Sequence, residues 1–201
     1  MVERAVQGRT RWKRFALAAV PTTLAAGAIV AMMAEGAIAA SFAVSGSNFK
    51  VSMDELNGKG FEQFGTVDVT KDGKAHPVTV SAIRSATLKN MCQSVLVRTP
   101  LGPITVRIAA GGKGRPVKAV NLTVDADQLS GDATFHNIQI GRDASTLDRV
   151  PGVVGQAGMF GQQAESVQIK KLKQNAWATT AGTFALNDLD LKVAFGVNEC
   201  F

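Results

Sequence analysis

From about residue 40 onward, apolar and polar side chains alternate with the two-residue period of half-buried strands. Phe49-Lys50-Val51-Ser52-Met53 alternates cleanly, and so does Gly65-Thr66-Val67-Asp68-Val69-Thr70. The second run passes through Lys71-Asp72-Gly73-Lys74 into His76-Pro77-Val78-Thr79-Val80. An Asp-Gly pair between alternating runs is a strong hairpin signal. Further reversals are expected at Pro100-Leu101-Gly102-Pro103, before Ile104 to Ile108, and at Gly111-Gly112-Lys113-Gly114-Arg115-Pro116, before Val117 to Val124. No segment after residue 40 keeps apolar residues at i, i+3, i+4 and i+7 over three turns, so no long helix is expected there. The pattern predicts one mostly-β domain over 40–201, long enough for a real core.

An internal repeat refines that picture. Ala86-Thr87-Leu88-Lys89-Asn90-Met91 is matched by Ala133-Thr134-Phe135-His136-Asn137-Ile138, and more loosely by Gly182-Thr183-Phe184 leading to Asn187 and Leu189. In each copy the apolar positions change parity at or next to the asparagine. A parity change in a strand needs a bulge or a corner, and asparagine tolerates the dihedrals a corner requires. The reading is three strand–corner–strand units, arranged either as bent strands of a β-sandwich or as coils of a β-solenoid-like stack.

The stretch from Gly141 to Ala164 breaks the rhythm, with Gly141, Gly152, Gly155, Gly158 and Gly161, Pro151, and the apolar pair Met159-Phe160. Connections of that length are usually functional or disordered. Met159 and Phe160 either cover the end of the core or contact a ligand or partner.

The first 39 residues are of another kind. Arg4, Arg9, Arg11, Lys13 and Arg14 precede an uncharged, mostly apolar run from Phe15 to Ala34, and Ala37-Ile38-Ala39 offers small residues for a cut. A basic head, an apolar middle and small residues at −3 and −1 make an export signal. The apolar run reaches the length of a spanning helix, about 20 residues, although Pro21 interrupts it. It therefore serves either as a signal peptide cleaved after Ala39 or as an uncleaved membrane anchor with the bulk of the chain outside. Neither a twin-arginine pair, nor a cysteine directly after the apolar run, nor a C-terminal apolar tail is present. The expected location is extracellular or on the outer face of the cytoplasmic membrane, and the membrane is a partner through this helix if it stays uncleaved.

That segment also carries much of the charge. The whole chain has 22 Lys+Arg against 16 Asp+Glu, a formal +6. Residues 1–39 hold five of the bases and two of the acids, so the remainder is only +3. A nucleic-acid partner is not expected. The nearest thing to a basic cluster, Lys170, Lys171 and Lys173, reads as a solvated strand face.

Cys92 and Cys200 are the only cysteines. An even count in an exported chain predicts a disulfide that pins the C-terminus to the middle of the domain. Two sulfurs and two distant histidines, His76 and His136, have no zinc-site spacing, and Asp125-Ala126-Asp127 lacks the remaining donors of a calcium loop. No serine sits in G-x-S-x-G. Ser130, Asp132 and His136 are near one another in sequence, which does not make a triad. Asp54 and Glu55 point to opposite faces of an extended chain. No catalytic, metal or cofactor site is expected.

Several segments together resemble a family of exported actinobacterial proteins of unknown function. They include Ala40-Ser41-Phe42-Ala43-Val44-Ser45-Gly46, Asp127 to Phe135, Gly141 to Leu147, Gly158-Met159-Phe160-Gly161-Gln162-Gln163-Ala164, Ala176 to Phe184, and Glu199-Cys200-Phe201. The resemblance covers nearly the whole chain. Members of that family sometimes carry the automatic name cholesterol esterase, which implies a carboxylic ester hydrolase but brings no catalytic motif. Three functions remain open: an interaction or structural module of the cell envelope with a lipid or envelope protein as partner, a lipid or sterol ester hydrolase, and a carrier of an apolar ligand. The first fits the residues best.

Overall fold

The computed structural model describes residues 45–201. The expected export segment and the cut after Ala39 lie outside the described residues. Nine strands follow in order: β1 (Phe49–Val69), β2 (Ala75–Lys89), β3 (Met91–Thr99), β4 (Gly102–Ala110), β5 (Val117–His136), β6 (Gln139–Asp143), β7 (Phe160–Thr180), β8 (Thr183–Ala185) and β9 (Asp190–Phe195). The one helical piece among the described residues is a 3-10 turn, Ala144–Thr146. All pairings are antiparallel.

The strands form one sheet in the order β6-β7-β5-β2-β1-β3-β4-β9, and β7 also pairs with β1. That extra pairing closes β1, β2, β5 and β7 into a ring. The stagger of the ring is large. Stepping across the pairs Gly65–Thr79, Thr79–Ala126, Ala126–Ala176 and Ala176–Phe49 returns to β1 near its opposite end. Stagger, tilt and width are linked in closed sheets, so a ring of only four strands gains room for a core by tilting them steeply. Leu56, Phe61, Ile83, Leu88, Leu122, Ile169 and Leu172 fill it. The Phe135 ring packs on Phe61 with centroids 5.2 Å apart. This arrangement replaces both expected alternatives: a solenoid pairs its coils in parallel, and a sandwich has two sheets.

The expected corners are present, and they belong to a larger pattern. Asn90, between β2 and β3, has φ 51°, and Asn137, between β5 and β6, has φ 52°. In the third unit the left-handed residue is Asp188, with φ 55°, one place after Asn187. The ladders skip the same positions on neighbouring strands. One line runs Asn90–Asp54–Lys171, and a second runs Asn121–Arg84–Gly60–Glu165–Asn137. Along each line left-handed residues alternate with extended ones: Asn90 and Lys171 on the first, Asn121, Gly60 and Asn137 on the second. Each line is a crease where side chains change parity. β1 accordingly buries Val51 and Met53, then Leu56 and Gly58, then Phe61. Gly60 cannot be replaced cheaply: its φ is 66° and a Cβ would lie 2.6 Å from the Arg149 carbonyl oxygen.

The hairpin signals mark real turns at Thr70–Lys74 and at Pro100-Leu101. The Gly111–Pro116 segment instead carries the chain from β4 to β5, which are not paired. The 141–164 stretch is a folded cover rather than a plain connector. Ala144, Leu147 and Val150 are buried, and Ala144 and Leu147 cluster with Phe64 and Val80. Asp143 organises the turn by accepting from the Ser145 N–H at 2.9 Å, the Ser145 hydroxyl at 2.7 Å and the Gly158 N–H at 2.7 Å. These donors, the Ser145 hydroxyl foremost, hold its carboxyl below the usual range. From the sheet side the buried Glu62 accepts the Val150 N–H at 2.6 Å, and the buried Gln163 accepts the Asp148 N–H at 2.9 Å.

Candidate functional site

Beyond the ring, β3, β4 and β9 form a three-stranded arm. Its pairs Val97–Ile104, Val95–Val106, Ile104–Phe195, Val106–Val193 and Ile108–Leu191 put these apolar side chains on one face. The face continues the core-facing side of β3, where Met91 is buried, out past the point where the ring ends. Within the ring that side meets other strands. On the arm nothing among the described residues covers it. Phe195 is 73% exposed, Val193 61% and Leu191 56%, and Leu101 at the hairpin tip is 87% exposed. β9 is also the last strand of the sheet, so one row of its main-chain groups has no strand partner among the described residues.

The other side of the arm is held by the C-terminal tail. Cys92 and Cys200 are joined in a disulfide, with Cα atoms 5.9 Å apart. The bridge lies at the end of a zipper built on two buried hydroxyls. Thr105 donates to the Gly196 carbonyl at 2.7 Å and accepts the Asn198 N–H at 3.0 Å. Ser94 accepts the Cys200 N–H at 3.0 Å. Lys50 then donates to Glu199 at 3.1 Å and to the Phe201 carbonyl at 2.9 Å. The tail thus ties the arm to the ring and leaves the apolar face open.

A family model described as a family of unknown function, DUF6230, matches residues 45–201. The chain belongs to the DUF6230 family. No curated protein and no solved structure matches it. Membership in DUF6230 brings no activity with it.

Met159 and Phe160 are 44% and 59% exposed, so the pair does not cover the core. The cover is anchored instead by Ala144, Leu147 and Val150. Met159 lies with Gly65, Thr66, Val67, Pro77 and Val78 around a shallow hollow at the other end of the ring's long strands.

The residues considered for catalysis are engaged separately. Ser130 donates to the Lys173 carbonyl at 3.4 Å, Asp132 faces the Lys171 ammonium at 3.5 Å, and no hydrogen bond joins either to His136. His76 stacks on Trp177 with centroids 3.7 Å apart, and the Trp177 N–H donates to Asp127 at 2.9 Å. Among the described residues no group of three or more His, Cys, Asp or Glu side chains is placed to hold a metal ion.

One set of groups escaped the sequence reading. Asp68 sits directly across from His76, and burial pushes its carboxyl up while the nearby His76 pulls it down. Asp125 is pushed up to about 6, by burial first and by the charge of Asp68 second. Each of these two aspartates has a buried oxygen without a hydrogen-bond partner. Alternation across three strands brings them together, and no spacing along one strand announces it.

The ring also encloses an apolar cavity of about 110 Å³, lined by Leu56, Phe61, Leu122, Phe135, Ile169 and Phe184 among others. Gln63, Ser81, Gln93, Gln174 and Thr179 supply its polar lining.

Proposed function

We propose that the protein is an exported, envelope-associated β module that works by docking a partner on the β3–β4–β9 arm and carries out no catalysis. The observation behind this reading is the arm itself, a core-type apolar face that runs out past the ring beside a free strand edge. Large apolar patches on a folded domain mark interaction surfaces. The free edge favours a protein partner that adds a strand, because a strand satisfies the main-chain groups of β9 while its side chains cover Val193 and Phe195. The basic, apolar and small-residue pattern of residues 1–39 supports an extracellular or outer-membrane-face location, and a disulfide suits such a compartment.

The apolar-ligand carrier is a second reading, favoured by the cavity in the ring. At about 110 Å³ it falls below the roughly 300 to 1,000 Å³ of drug-sized ligand pockets. It suits a short acyl segment rather than a sterol. The ester hydrolase reading has no such support, since a hydrolase needs a nucleophile within hydrogen-bond reach of a base. The deciding experiment is copurification from the native envelope with the wild-type chain and with Val193→Thr/Phe195→Thr. A defined partner retained by the first and lost by the second supports the docking reading. Equal retention, or none by either, contradicts it.

A further inference from the structure

Between the two creases lies a middle panel of the ring, and the side turned away from the core forms an open groove of about 490 Å³. Core-side residues alternate with groove-side residues along each strand, so Leu56, Gly58, Ala86, Leu88 and Val167 face inward while Asn57, Lys59, Ser85, Thr87, Ser166 and Gln168 face the groove. Lys118 and His136, from opposite ends of β5, stand at its two sides. The cross-strand pairs His136–Ser166, Ser166–Lys59, Lys59–Ser85 and Thr87–Lys118 fix their order. Lys59 stands two strands from His136 in one cross-strand row, and two strands from Lys118 with a displacement of two residues along the strand. At about 4.8 Å per strand and about 3.3 Å per residue, Lys59 lies roughly 10 Å from His136 and roughly 12 Å from Lys118 across the groove.

No described carboxylate pairs with Lys59, Lys118 or His136. The acid of β1 between the two creases, Glu55, is already held by Lys89 at 2.9 Å, Asn57 at 2.5 Å and Gln168 at 3.2 Å. The groove therefore combines unpaired positive charge with hydroxyl and amide groups, in a concavity framed by the creases. An exposed lysine on an ordinary strand face has no such frame.

We propose that this groove binds an extended polyanion rich in hydroxyl groups, a phosphodiester-linked or carboxylated envelope polymer lying across the strands. The basic row matches repeated negative charge, and Ser85, Thr87, Ser166, Asn57 and Gln168 supply hydrogen bonds to hydroxyls between the charges. The site is separate from the arm, so the proposal stands or falls independently of partner docking there.

The test is binding of the purified full-length protein to fluorescent inorganic polyphosphate, polygalacturonate and neutral dextran. The proposal expects one of the two polyanions to bind more tightly than dextran at low salt, with affinity falling steeply as salt rises. Which of the two binds distinguishes phosphate from carboxylate as the source of charge. Lys59→Gln/Lys118→Gln/His136→Gln is expected to lose at least tenfold. Lys71→Gln/Lys74→Gln/Lys113→Gln, which removes at least as much charge elsewhere, should stay within twofold. If the groove variant proves unstable, Lys59→Glu and Lys118→Glu singly read the same loss. Equal losses in the two triple variants, an unaffected groove variant, or binding only to phosphatidylglycerol vesicles would overturn the proposal.

Discussion

The side-chain amide of Asn90 donates to the carboxylate of Asp54, its neighbour along the crease, at 2.6 Å. Asn137 repeats the relationship with Glu165 at 2.7 Å on the other crease. In both places a left-handed asparagine faces an acid on an extended partner strand. The third unit departs from this: Asn187 donates to the Pro116 carbonyl at 2.8 Å, while the left-handed Asp188 pairs with Arg115. Asparagine serves here because it tolerates the left-handed region and also reaches the neighbouring strand.

Asn90→Ala should therefore cost more than Asn90→Gly. Alanine must enter the left-handed region, at roughly 1 to 2 kcal/mol, which glycine avoids. Urea unfolding of the two variants measures the difference. Equal stability, or a more stable alanine variant, would mean that the crease does not constrain position 90.

The corners were legible because a change of parity can be counted in one strand. Ring closure was not, since β1 and β7 are about a hundred residues apart and alternation says nothing of which strands meet. The arm was hidden for a related reason. Leu189, Leu191, Val193 and Phe195 alternate like any half-buried strand, and only the topology leaves their side uncovered. Glu62, between Phe61 and Gln63, reads as solvent-facing until the 141–164 cover folds over it.

Reduction should loosen the tail before it unfolds the ring. The bridge spans 108 residues of sequence, for which chain-entropy arithmetic gives about 4 to 5 kcal/mol. Alkylation of the unreduced native protein should label no cysteine, and after reduction hydrogen exchange should rise first at Gly196 to Phe201. Quantitative labelling without reductant would contradict the bridge.

Asp125 sets a pH dependence of defined sign. Its folded carboxyl titrates near 6 against an ordinary value of 3.8, so the folded state binds more protons between about pH 4 and 6. Its stabilising contribution is present below pH 4 and lost as pH rises through 6. Glu62, also raised by burial against the pull of Val150 and Arg149 main-chain N–H groups, acts in the same direction. Asp125→Asn should melt above wild type at pH 7.5, and the gap should close toward pH 4. A gap that is constant across that range would show that Asp125 ionises normally.

Replacing both Met159 and Phe160 by serine should leave the melting temperature within about a degree, because both are exposed and the cover is held by Ala144, Leu147 and Val150. Surface changes of this kind usually stay within about 0.5 kcal/mol. A large drop would show that the pair is packed in solution.

Site-specific photo-crosslinking from position 195 addresses the docking face itself. A benzoyl-phenylalanine at 195 keeps the aromatic character of Phe195, and the same group at exposed Lys71 serves as control. In the native envelope, position 195 should capture one defined protein, and excess wild-type chain should compete it away while Val193→Thr/Phe195→Thr does not. No capture from 195, or the same products from 71, would contradict the arm as the docking surface.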